Sequence, residues 1–98
     1  MELGEVVYSK AGRDSKSYYI VVEIVNENAV KIADGGLRKI QKAKLKNIKH
    51  VKSIGVVLEK IKSKLQKGTK VFNPEIYSAL KEYNDKKIKE DYVERRCN

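Results

Sequence analysis

From Tyr18 to Val25 the chain reads Tyr-Tyr-Ile-Val-Val-Glu-Ile-Val, a run of aromatic and β-branched residues that ends at Asn26-Glu27-Asn28. Such a run favours a pleated strand over a helix, and Asn-Glu-Asn suits a tight turn. Everything before residue 53 has the same grain. Glu5 to Tyr8 is a short β-prone run followed by the polar, glycine-containing loop Ser9–Ser17. Ala29-Val30-Lys31-Ile32-Ala33 alternates apolar and polar residues ahead of Asp34-Gly35-Gly36, a composition that predicts a hairpin turn with Leu37–Ile40 as the returning strand. Ile48, His50 or Val51, and Ile54 predict one more short strand. Four or five short strands in about fifty residues imply a small, highly bent antiparallel barrel.

The period changes after Gly55. Val57 or Leu58, Ile61 and Leu65 recur at helical spacing, with lysines between them and Gly68 at the C-terminal stop. Asn73-Pro74-Glu75 has the order of an N-cap, first-turn proline and early acid, after which Ile76, Ala79, Leu80 and Tyr83 line one helical face, with the helix possible as far as Tyr92. The fold class expected is therefore mainly β with α: a barrel over 1–53 followed by two helices in an extension, 54–98, packed on it.

The chain has 98 residues and a formal charge of +9, which indicates one small domain with a modest core and leaves little room for a large enzyme cleft. The longest apolar run, Tyr18 to Val22, is far too short to cross a membrane, and Met1 to Gly4 has no basic region leading into an apolar signal segment. These features predict a soluble, cytoplasmic protein. One cysteine, Cys97, provides neither a disulfide framework nor a metal site, and His50 has no second ligand at metal-binding spacing. The serines show no nucleophile elbow and Gly35-Gly36 is too short for a phosphate loop, so the expectation is a non-enzyme without cofactor or small-molecule substrate.

The positive charge is concentrated. No acidic residue occurs between Asp34 and Glu59, a window that holds Arg38, Lys39, Lys42, Lys44, Lys46, Lys49 and Lys52 as well as His50. Clustered, uncompensated lysine and arginine is the electrostatic footprint of a phosphate-rich partner. If locally extended, Arg38, Lys42, Lys44 and Lys46 share one face, with like positions about 6.6 Å apart, close to the phosphate spacing of a nucleic-acid strand, while Lys39 and Lys49 point elsewhere. Lysine also protects an edge strand from aggregation, yet this run exceeds that need. In the 9–17 loop Gly12 permits close backbone approach, Arg13 offers a planar fork, and Lys10 and Lys16 add point charges, with Asp14 suited to the turn. Tyr8, Tyr18 and Tyr19 adjoin this loop; one of them stacking on a base is the less common role, half-burial in the barrel wall the usual one.

Gly4-Glu5-Val6-Val7-Tyr8-Ser9-Lys10-Ala11-Gly12-Arg13-Asp14, followed by Tyr18-Tyr19-Ile20-Val21-Val22, resembles the KOW motif. With Ala33-Asp34-Gly35, Arg38-Lys39 and Lys49-His50, the segment 3–52 resembles bacterial KOW-domain RNA-binding proteins similar to the archaeal and eukaryotic large-subunit ribosomal protein L-fourteen-e. The resemblance implies an SH3-like barrel, binding of ribosomal RNA or the ribosome, and RNA contact by the loop before the long strand. Together with the charge pattern it makes Lys10, Gly12, Arg13, Lys16, Arg38, Lys39, Lys42, Lys44, Lys46, Lys49 and His50 the candidate RNA-binding residues. The alternative is a protein–protein adaptor, or a transcription-associated KOW module, whose partner binds the helical segment 54–98.

Overall fold

The run from Tyr18 forms the longest strand, β2 (Tyr18–Asn26), and the rest of the sheet is arranged around it. The structure, a computed structural model, describes residues 1–9, 18–36 and 38–83. β1 (Glu5–Ser9) lies antiparallel along one side of β2, with Val6 opposite Ile20. β3 (Ala29–Ala33) lies along the other side, with Val21 opposite Ile32. The turn between β2 and β3 is held by Asn26, whose Oδ1 accepts from the Asn28 backbone N–H at 2.8 Å. β4 (Lys44–Asn47) extends the sheet beyond β3, and β5 (Val51–Val57) returns to the open side of β1. The resulting order, β4-β3-β2-β1-β5, is antiparallel throughout. A one-turn 3-10 helix, Ile48–His50, joins the two outer strands, in keeping with the small barrel expected from the strand pattern.

Period-two alternation sends side chains to two faces, and both are buried. Val7, Tyr19, Val21, Val30, Ile32 and Val51 form the inner cluster, with Ile48 packed against it. Val6 and Ile20 point the other way, where the helices cover them. Helix α1 (Glu59–Lys67) contributes Ile61 and ends at Gly68, as the spacing predicts. Helix α2, described over 73–83, contributes Ile76 and Leu80, with Ala79 and Tyr83 packed beside them. The apolar stripes of both helices thus cover the outer face of the sheet, and no helix among the described residues is long and apolar enough to cross a membrane.

Two segments depart from expectation. The returning strand expected over Leu37–Ile40 does not form among its described residues: Arg38 lies in a bend and Ile40 opens a 3-10 turn, Ile40–Lys42. Asp34 Oδ1 accepts from the backbone N–H groups of Gly36 and Arg38, both at 2.8 Å, while the Arg38 carbonyl accepts from Asp34 and Gly35 at 2.9 and 3.1 Å. This local closure takes up the polar groups that a strand ladder would use. The last strand also runs on to Val57, past residue 53, so the sheet extends into the segment expected to be helical. Between the pairs Val7–Ser53 and Glu5–Val57, β5 uses more residues than β1, and the excess forms a bulge at Gly55, whose φ of 78° only glycine adopts cheaply.

Candidate nucleic-acid interface

The basic segment is not one extended row. The bend at Arg38, the 3-10 turn and Ala43 interrupt the two-residue period, so of Arg38, Lys42, Lys44 and Lys46 only Lys44 and Lys46 share a strand face. Their register decides which face it is. Lys44 lies opposite Ile32 and Lys46 opposite Val30, and directly paired residues point to the same side of a sheet. Both lysines therefore sit half-buried on the side of the inner cluster, at the rim of the outermost strand. Leu45 takes the other side, opposite Lys31, and is 58% exposed. Inward-pointing charge on an edge strand is a means of preventing edge-to-edge pairing, and it accounts for this inversion of the usual apolar-in pattern.

The accessible basic residues lie at the two ends of β4. Lys39 and Lys42 are exposed around the first 3-10 turn, and Lys49 and His50 on the second, with Lys52 exposed just beyond on β5; Arg38 is half-buried. The four-residue strand β4, about 13 Å long, separates the two groups along the chain. Among the described residues, no ion pair engages Lys39, Lys42, Lys49 or Lys52, whereas Lys31 pairs with Glu23 at 3.7 Å, Lys62 with Glu2 at 3.6 Å and Lys64 with Glu75 at 2.7 Å. A cavity of about 290 Å³ beside the first turn has Gln41 and Lys42 on one wall and the Glu23–Lys31 pair on the other. That acid makes the open surface, rather than the cavity, the better place for an anion.

Lys10, Gly12, Arg13 and Lys16 lie outside the described residues. Ser9, which precedes them, pairs with Val51, the neighbour of His50, and Tyr8 pairs with Lys52. The chain therefore leaves β1 toward that loop beside the second cationic group. Of the tyrosines, Tyr19 is in the inner cluster and 5% exposed. Tyr18 points to the opposite face, as alternation requires, with its ring centroid 6.3 Å from those of both Tyr8 and Tyr83. These contacts give the tyrosines packing roles in the wall.

The contacts that dock α2 next to this surface have no local sequence signal. Asn73 does not act as the side-chain cap of its own helix: its Oδ1 accepts from the Ile40 backbone N–H at 2.8 Å and its Nδ2 donates to Gln41 Oε1 at 2.8 Å. Gly35 fits beneath the same turn of α2, where an added Cβ would stand 2.2 Å from the Asn73 carbonyl oxygen. These contacts bring Tyr77, 54% exposed, against Gly36, and Phe72, equally exposed, precedes the helix. A glycine pair suited to a turn and an asparagine suited to a cap give no sign that they meet. No protein-family model and no curated protein matches the chain.

Proposed function

We propose that the chain is a cytoplasmic, non-catalytic RNA-binding protein that docks on structured RNA, ribosomal RNA being the class its resemblance suggests. The observation that carries this reading is the exposed lysines at either end of β4, Lys39 with Lys42 and Lys49 with Lys52, which no ion pair engages among the described residues, with His50 exposed beside the second pair. Phosphates bind to these groups, and Lys10, Arg13 and Lys16 add further contacts. Lys44 and Lys46 contribute potential from the rim rather than a row of direct contacts. Most of the affinity is electrostatic, with preference coming from backbone shape and a few base or 2′-hydroxyl contacts.

Fluorescence anisotropy with a labelled ribosomal RNA hairpin across a salt series tests this reading. Neutralising about five phosphates gives a slope of log K against log salt of roughly −3.5 to −4.5, depending on strandedness. A slope near zero rejects it, and equal competition by a matched DNA hairpin rejects the preference for RNA.

A further inference from the structure

We infer that Tyr77 is a stacking platform for an unpaired nucleobase, so that the preferred RNA carries a bulged or single-stranded nucleotide next to the backbone held by the basic segment. The inference rests on the RNA reading above and adds to it a residue from the helical segment.

Tyr77 differs from its helix neighbours. Ile76 and Leu80 are buried against the sheet, whereas the Tyr77 ring is 54% exposed and, among the described residues, no hydrogen bond or ring contact engages it. One edge of the ring nevertheless rests against Gly36. Its Cδ2 and Cε2 edge lies 3.2 and 3.3 Å from where a Cβ on Gly36 would stand, and the turn beneath it is tied to the 34–41 segment by Asn73 and Gly35. A ring positioned before binding loses little conformational entropy when a base stacks on it.

The surrounding charge suits a nucleotide. Lys39 is exposed three residues beyond Gly36, and Lys81 is exposed one helical turn beyond Tyr77. The acids nearest in sequence to the Gly36–Tyr77 contact are engaged: Asp34 by the two backbone amides described above, and Glu75 by Lys64, whose Nζ reaches both carboxylate oxygens at 2.7 Å. Phe72 is as exposed as Tyr77, but the Lys70 ammonium lies over one face of its ring, 5.1 Å from the centroid. Among the described residues, Tyr77 is therefore the strongly exposed aromatic whose ring has no cation over it.

The test uses the full chain and two fluorescein-labelled RNA hairpins, identical except that one carries a single unpaired uridine. Tyr77→Ala is expected to weaken binding of the bulged hairpin by about five- to 150-fold, the range for one base–aromatic stack, with little change for the paired stem. Tyr77→Phe keeps the wild-type preference and Phe72→Ala changes it little. Because the chain has no tryptophan, Tyr77→Trp creates a single reporter whose emission should be quenched by the bulged hairpin. Wild-type affinity of Tyr77→Ala for the bulged hairpin, or unchanged Trp emission at saturation, overturns the inference while leaving salt-dependent RNA binding intact. Failure of the wild-type chain to bind either hairpin overturns the RNA reading and this inference with it.

Discussion

The side-chain carbonyl of Asn73 accepts a hydrogen bond from the backbone N–H of Ile40 at 2.8 Å, across 33 residues of chain. This contact, reinforced by Asn73 Nδ2 donating to Gln41, fastens the start of α2 to the first 3-10 turn. It joins the helical segment to the basic segment and holds Ile40 out of a strand.

Asn73→Ala should leave the Ile40 amide without a partner and lower stability by about 1–3 kcal/mol, the cost of an orphaned, part-buried donor. Asn73→Asp keeps the acceptor and removes only the bond to Gln41, so its melting temperature should lie between those of Asn73→Ala and the wild type. Thermal unfolding followed by circular dichroism gives the order.

Gly35→Ala should be more damaging, about 3 kcal/mol or more. The new Cβ meets backbone, the Asn73 carbonyl at 2.2 Å, and the φ of 77° is strained for any L side chain. Gly68→Ala shares the positive φ but has open space around it, and about 1 kcal/mol is expected. Equal denaturation midpoints for the two variants would show that the close approach at Gly35 is unimportant.

The helices stabilise the sheet itself. Leu80→Ala should cost about 2–5 kcal/mol, because the side chain is 1% exposed within the cluster that contains Val6 and Ile20. Deleting residues 54–98 removes the end of β5 that pairs with Glu5 and uncovers that face. The truncated chain should lose cooperative thermal unfolding and show poor amide dispersion by NMR.

Replacing Lys39, Lys42 and Lys49 together by glutamate should abolish binding of an RNA hairpin without altering the circular dichroism, since all three side chains are exposed. Removing the three charges with glutamine instead should flatten the salt slope by about 0.7–0.9 for each phosphate that is no longer neutralised. An unchanged slope would move the site away from the ends of β4.

Local periodicity determined much of this protein. Alternation in Tyr18–Val22 and Ala29–Ala33 decided which residues fill each face, and the spacing of Ile76, Ala79, Leu80 and Tyr83 decided how α2 meets the sheet, because burial follows the geometric repeat of strand and helix. The acid-free window marked the segment where positive charge concentrates, because no acidic residue is interleaved there in sequence. Tertiary structure decided how that charge is presented. The register of β4 on β3 turned Lys44 and Lys46 toward the inner face and left Leu45 outside, and a slip of one residue would have reversed all three. The conformation of Arg38–Ile40 depended on polar partners at Asp34 and Asn73, and the placement of Tyr77 over Gly36 depended on the docking of α2. A hydrogen bond or a close approach across more than thirty residues leaves no trace in local propensity, because it exists only once both segments are held in place by the core between them.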